Sequence, residues 1–590
     1  MKKKTFDNSQ FLPTPRFPLE GGGFGLFVKD DLSFCGEVEL VGKSFGGVFS
    51  YKVEQGKISF EKKIIAYHLN QSEFSFSDSS FVRILVNGTA LDEKVDRIEE
   101  EGRLLVFSHG DKGILTARSF FPCSYAPGVI EKIEVQTPFS ANLSLSFDDW
   151  NQVSKNILYG GALCDEKGTF MKGFQNQSLR KLPEGGYTCF YILWYITPLD
   201  VDFVVEGKIE DARRMALVEG GKSVLRLTTP LPHYNSAFSQ SIFNMRQCIT
   251  GQGTGDAFAI PSGGEYSQIS MEEFSLSAPL YACMGDERGV AQLINGLNKI
   301  SKAIKECKDK KQKNKFPTLI LAKGDAVLGA DLGESAYYAS GVARSLLSMG
   351  SAPFCRAYYP DLLYALSCCK EKIGKDGLLK IKGKIDGKIC FSAYQGFYYG
   401  AMLADQIGER TDSIKFAYFA EELKEAMVKN KVYLPLSIEM GEVDFEIAEL
   451  EKGDLSPYEI LSIIRALYLA KKDNADLVLQ KFVEKCMIIN RVIGAGEDGK
   501  SNSCLSACIA ETFLCGMLGF KPLSFTSFSL RPHLCGVVDR VRVEGLWIYG
   551  HTFDIEIEDN IVALFDEYDK LVFKREFEMG ETVVVSLEKK

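Results

Sequence analysis

The chemistry open to this chain is narrowed first by the residues it lacks. Its five histidines are His68, His109, His233, His533 and His551, so none falls between Tyr234 and Pro532. A nucleophilic triad built on histidine, or a His-rich metal site, is excluded from that stretch. The 16 cysteines are scattered and form no C-x-x-C pair, so neither a metal nor any other cofactor is expected. No G-x-x-x-x-G-K-[ST] run occurs, and Gly251-Gln-Gly-Thr-Gly255 lacks the preceding strand and following lysine that a phosphate cradle uses. What remains is a set of carboxylates on loops. The most conspicuous are Glu497 and Asp498, in the glycine-rich loop Gly494-Ala-Gly-Glu-Asp-Gly-Lys500. Carboxylates held in different environments can work as an acid/base pair.

Helices must position them. Val290, Leu293, Ile294, Leu297, Ile300 and Ile304 fall on one helical face, with Lys299, Lys302 and Lys305 opposite. Comparable patterns predict helices near 235–250, 271–284, 333–349, 353–373, 392–407, 412–429, 457–471, 475–490 and 503–518, and 434–451 could hold another. Ser270-Met-Glu-Glu273, Asp331-Leu-Gly-Glu334 and Ser456-Pro-Tyr-Glu459 each read as a capping box. Ala393-Tyr-Gln-Gly-Phe-Tyr-Tyr-Gly-Ala401 and Ser503-Cys-Leu-Ser-Ala-Cys-Ile-Ala510 are small or aromatic on several sides. Such helices must be buried on several sides, which a ring of nested helices satisfies.

On either side the period changes to two. Gly36-Glu-Val-Glu-Leu-Val41, Phe81-Val-Arg-Ile-Leu-Val86, Ile130-Glu-Lys-Ile-Glu-Val135 and Leu143-Ser-Leu-Ser-Phe147 alternate as half-buried strands do. Cys189-Phe-Tyr-Ile-Leu-Trp-Tyr-Ile196 reads as a central strand, and Asn87-Gly88 and Glu184-Gly-Gly186 as turns. One short helix fits around 210–219. After Lys521-Pro522 strands return, as in Val537–Val543, Phe553–Ile557, Ile561–Phe565 and Thr582–Leu587. The expectation is multidomain β + α: an antiparallel β-sandwich over 1–230, an (α/α)6 toroid barrel over 231–522 and a small β-sandwich over 523–590.

At 590 residues, 45% hydrophobic and 25% charged, with net charge −9, the chain has ordinary globular composition and no basic excess for nucleic acid. The one basic run, Lys308-Asp-Lys-Lys-Gln-Lys-Asn-Lys315, fits a solvated loop. Met1-Lys-Lys-Lys4 is followed by no apolar segment of the kind a secretory signal needs. No window reaches the ~18 apolar residues of a membrane span. Cysteines beside apolar residues in helical patterns suit a reducing compartment, hence a cytoplasmic location.

Three stretches carry a resemblance. Arg118-Ser-Phe-Phe-Pro-Cys-Ser-Tyr-Ala-Pro-Gly-Val-Ile-Glu-Lys-Ile-Glu-Val135 is similar to a sandwich segment of the six-hairpin (α/α) glycosidases. Gly374-Lys-Asp-Gly-Leu-Leu379 with 391–408 resembles one of their barrel hairpins. Leu518-Gly-Phe520 followed by Phe528-Ser-Leu-Arg-Pro-His-Leu534 resembles their exit from the last helix. That superfamily includes glucoamylases, trehalases, rhamnosidases, the glucosidase half of glycogen debranching enzymes and disaccharide phosphorylases.

The resemblance implies a carbohydrate partner and inverting hydrolysis of a small oligosaccharide. In such hydrolysis one carboxyl protonates the leaving oxygen while another activates water across ~6.5–9.5 Å. It implies Glu497 as base, with Asp498 as its neighbour, and Asp386 as acid, with Asp325, Asp331 and Glu334 as competitors. It implies Asp256, Glu265, Glu272 and Glu273 as sugar-hydroxyl binders, with Asp331 as a further substrate contact. The helical stretch has no tryptophan, since Trp150, Trp194 and Trp547 lie outside it. Stacking on sugar would fall to Tyr394 and to Phe258, Tyr266, Tyr337, Tyr338, Phe397, Tyr398 or Tyr399. Two alternatives share the fold. A disaccharide phosphorylase would need cations, for which Arg344, Arg356, Arg465 and Arg491 are available; a sugar-binding protein would have lost catalysis. A homodimer is left open.

Overall fold

The computed structural model describes residues 82–284 with short gaps, 316–321, 326–328, 333–443, 455–488, 503–534 and most of 538–587, and before residue 82 strands only. Antiparallel sheets stand at both ends of the chain, with a helix-rich region between them.

In the N-terminal region Tyr187–Pro198 lies between Gly128–Gln136 and Ile157–Leu163 in an eight-stranded sheet. Its Phe190, Ile192, Leu193, Trp194 and Tyr195 are all at most 2% exposed, as its nearly continuous apolar run requires. Asn87 and Gly88 both have positive φ, 51° and 85°, the turn that suits a two-residue hairpin. A buried network ties the sheets. Arg118 is fully buried and bonds Glu93, Glu131 (2.7 Å) and the Val82 carbonyl, while Trp194 Nε1 donates to Glu131 (2.8 Å).

The described helices are α1 (Gly207–Gly221), α2 (Pro232–Gln247), α3 (Met271–Cys283), α4 (Glu334–Met349), α5 (Ala352–Glu371), α6 (Gly387–Ile407), α7 (Arg410–Asn430), α8 (Leu434–Glu439), α9 (Pro457–Leu469), α10 (Ala475–Ile488) and α11 (Ser503–Glu511). A π-helical turn, Thr512–Met517, extends α11. The helix expected near 290–304 lies outside the described residues apart from the buried Ile294. Capping boxes form at Ser270/Glu273 and Ser456/Glu459. The third expected box does not form. The N-cap of α4 is Gly333, at φ 122°, so Glu334 is the first helical residue and is no longer accounted for as a cap. A Cβ at Gly333 would lie 2.5 Å from Ile389, which explains glycine there.

Helix α6 starts five residues earlier than its apolar pattern suggests. A two-residue hairpin, Lys380–Ile381 with Lys384–Ile385, delivers the chain to Asp386, whose carboxylate accepts from the Lys388 and Ile389 amides at 2.9 and 3.2 Å. The small residues serve close helix approach. A Cβ on Gly341 would lie 2.9 Å from the Ser275 Cα, and one on Gly396 2.9 Å from the Ala339 Cβ. Pairwise, α3 packs on α4, α4 on α6, α8 on α9, and α11 on α3.

The C-terminal strands Arg540–Ile548, His551–Glu558, Ile561–Asp566 and Leu571–Glu576 form one antiparallel sheet. Its first strand is Arg226–Thr228, with Leu227 opposite Val543. The strand that precedes the helical region is thus built into the sheet that follows it. The two regions share one apolar core, in which Val541, Leu546 and Ile555 belong with Phe274, Val342 and Leu346. Among the described residues, no helix is long and apolar enough to cross a membrane.

Candidate functional site

A cavity of about 460 Å³ runs along the inside of the helical region. Helices α3, α4, α6, α8, α9 and α11 line it, while α5, α7 and α10 contribute no lining residue. At one end the wall is made by first turns: Glu272 of α3, Tyr337 of α4, Lys388 and Phe391 of α6, Tyr433 at the cap of α8, and Tyr458 and Glu459 of α9. At the other end stand Cys283, which ends α3, and Glu439, which ends α8. At ~1.5 Å per residue, Glu272 and Cys283 are roughly 16 Å apart along the helix axis.

One face of α6 carries an aromatic ladder. Phe391, Tyr394 and Tyr398 follow helical spacing, with ring centroids 5.8 Å apart at each step. Phe391 stacks on Tyr433 at 4.7 Å, and Tyr399 meets Tyr398 edge-on at 5.2 Å. The Lys521 ammonium sits 4.2 Å above the Tyr398 ring. Of the aromatic residues singled out in the sequence, Tyr337, Tyr394, Tyr398 and Tyr399 line the cavity. Tyr338 and Phe397 are at most 1% exposed and belong to the surrounding core.

Glu272 lines the cavity and keeps an exposed face there. Burial pushes its carboxyl above the ordinary range; Lys388 opposes that shift, and Asp386 adds to it. Glu439 is likewise raised by burial, against Lys521, Lys424 and Arg531. Glu459 goes the other way. Its bonds to Ser456 hold it below the usual carboxylate value, and Lys388 Nζ lies 3.7 Å from its free oxygen. Two carboxyls whose pKa values are shifted in opposite directions therefore flank Lys388.

At mid-length the cavity is crossed by an ion cluster. Arg344 of α4 donates to one oxygen of Glu511 at 2.5 Å, and Arg465 of α9 donates to the other. Arg465 also bonds Ser462 (3.2 Å). Glu511 is 2% exposed. Arg356 is placed elsewhere, bonded to the Ile407 carbonyl, and Arg491 lies outside the described residues.

The expected site residues divide accordingly. Glu272 and Tyr394 line the cavity. Asp386 is exposed at the N-cap of α6, near enough to Glu272 to affect its ionisation. Glu334 is 5% exposed, one turn before Tyr337. Asp256, Glu265, Asp325, Asp331, Glu497 and Asp498 lie outside the described residues. The sequence reading missed Lys388, Tyr433, Glu439, Glu511 and Lys521. Only the spacing of Phe391, Tyr394 and Tyr398 was a signal it could have followed.

No protein-family model and no curated protein matches the sequence. Solved structures do match. One described as "Putative kojibiose phosphorylase from human microbiome" aligns over 98% of this chain and 100% of its own, at 10% identity and a TM-score of 0.53. An α-L-rhamnosidase from Dictyoglumus thermophilum aligns over 92% and 84%, at 9% identity and 0.44. A bacterial glucoamylase complexed with acarbose aligns over 87% and 97%, at 10% identity and 0.44. At these identities the likeness is one of fold alone, and it is carried by the structure described as a putative kojibiose phosphorylase, which aligns over the full length.

Proposed function

We propose that this protein cleaves a small glycoside inside the helical cavity by phosphorolysis, with Glu272 as general acid. The helices would close as six hairpins around that cavity. The observation that carries the reading is the placement of Glu272, a carboxyl whose pKa its surroundings raise, at the head of an aromatic ladder in a cavity of about 460 Å³. That volume suits a ligand of one or two sugar rings. Tyrosine and phenylalanine rings offer apolar faces to the C–H faces of a pyranose, and the carboxyl offers a proton to a glycosidic oxygen.

In the step itself a phosphate oxygen forms a bond to the anomeric carbon while the bond to the leaving oxygen breaks. Glu272 gives its proton to that oxygen and is left as carboxylate, with the Lys388 ammonium beside it. The products are a glycosyl phosphate and a free sugar. No protein base is required, because phosphate is already a nucleophile. The full-length fold likeness to a structure described as a phosphorylase supports this reading over hydrolysis. The setting we propose is cytoplasmic: the ten described cysteines are all unbridged, and phosphate is abundant there.

The test is a panel of disaccharides incubated with the protein, with and without inorganic phosphate, reading free sugar. Release that requires phosphate is expected. Equal release without phosphate would make the enzyme a hydrolase, with Glu497 as the base to examine. No release from any glycoside would end the catalytic reading.

A further inference from the structure

The cluster at mid-cavity has a surplus of charge. Two guanidiniums share one carboxylate, and the groups that act on them electrostatically besides Glu511 are Tyr399, Tyr433, Cys508 and Cys515. Burial pushes both thiols up to about 12 and raises both phenols, so all four are neutral near pH 7. The other carboxylates of the wall, Glu272, Glu439 and Glu459, stand towards the ends. Among the described residues the cluster therefore carries a net charge of one positive. Arg344 and Arg465 also repel each other, since both are drawn to the two oxygens of a single carboxylate. The remaining donors of Arg344 have no partner among the described residues. Its side chain is 12% exposed and that of Arg465 18%, on the wall of a cavity.

A guanidinium fork with open donors, beside a second cation and without a second anion among the described residues, is an arrangement an oxyanion completes. We infer that Arg344 and Arg465 form an oxyanion-binding site at the waist of the cavity, filled by inorganic phosphate or by the charged group of an anionic sugar. Its use in catalysis rests on the phosphorolytic reading; its existence as a binding site does not. Both arginines lie two turns beyond the first-turn ring, Arg344 after Tyr337 and Arg465 after Tyr458, about 10 Å along their helices. A sugar between Glu272 and the arginines would then receive its proton on one side and meet the anion on the other.

The test is calorimetric titration of the full chain at constant ionic strength with inorganic phosphate, glucuronate, glucose and chloride. Saturable phosphate binding above chloride assigns the site to free phosphate. Glucuronate binding above glucose, without phosphate binding, assigns it to a charged sugar. Binding of neither above its control overturns the proposal. Arg344→Gln leaves a balanced one-to-one pair and is expected to fold, with anion affinity about tenfold to a hundredfold weaker. Arg344→Lys, which keeps the charge but loses the fork, is expected to fall between. Glu511→Gln frees both arginines and is expected to bind the anion more tightly, a change opposite in sign to structural damage. Unchanged affinity in Arg344→Gln or Arg344→Lys, or weaker affinity in Glu511→Gln, would overturn the assignment. Anion binding without turnover of any glycoside would leave the site standing and remove the enzyme; turnover without anion binding would do the reverse.

Discussion

Glu272 and Asp386 show how environment, more than residue type, assigns chemistry. Both are carboxylates at helix starts. Both are exposed, but Asp386 spends an oxygen on two backbone amides, whereas Glu272 lines a cavity whose walls raise its pKa. General-acid catalysis is typically worth ~10²–10⁴-fold. Glu272→Gln is therefore expected to lose about that factor on alkyl glycosides, yet to retain turnover of glycosyl fluorides, whose leaving group needs no proton. A raised pKa keeps the acid protonated to higher pH, so kcat/KM falls only above that folded value. Asp386→Asn keeps a capping residue of equal strength and removes the negative charge that helps raise Glu272. Activity should persist, with its alkaline limb moved to lower pH. A loss of ~10²-fold or more would return the acid's role to Asp386.

The sequence named Glu272 only as a sugar contact, because burial is not written in local spacing. It named Asp386 only through the resemblance to the six-hairpin glycosidases. The partners of Glu511 lie 46 and 167 positions away, beyond any motif.

Elements were more legible than sites. The apolar stripes placed most helices within a few residues of their observed spans, and two of three capping boxes formed as read. The start of α6 was missed because its first turn, Gly387 and Lys388, has no apolar periodicity and is set instead by the hairpin and the Asp386 cap. The small residues of α6 were read as burial on several sides, and the structure gives them, together with Gly341 of α4, a specific use in helix approach. Gly341→Ala pushes a methyl against the α3 backbone, where a flexible side chain cannot yield. A cost of about 1–3 kcal/mol is expected in denaturant unfolding, together with weaker sugar binding, because α3 carries Glu272. Wild-type stability in this variant would show that α3 and α4 are not so tightly apposed.

At the scale of the molecule, the helical region and the C-terminal sheet are one cooperative body. Strand Arg226–Thr228 and the core that joins Val541 to Val342 tie the two together. Among the described residues that core contains no residue before Leu225. The N-terminal sheets hold their own, around Phe121, Ile130 and Leu193, with Arg118 between two buried carboxylates. Two calorimetric transitions are expected. Arg118→Met leaves Glu93 and Glu131 buried without their cation and should lower the N-terminal transition by about 3–5 kcal/mol. Val543→Ala should lower only the transition that carries the helical circular dichroism. A single transition shifted equally by both would contradict the division. The sequence showed the three-part order through its changes of period, but it assigned Arg226–Thr228 to the first part, since pairing across more than three hundred residues leaves no local trace.

The central claim is that the cavity between the helices cleaves a glycoside through Glu272 with phosphate as acceptor. Phosphorus NMR of the wild type and Glu272→Gln, each with a disaccharide panel and inorganic phosphate, tests it most directly. A new glycosyl phosphate resonance in the wild type, absent or slowed by about two orders of magnitude in the variant, is the expected result. Sugar release with phosphate unchanged, or an equal rate of glycosyl phosphate formation in Glu272→Gln, would contradict the account.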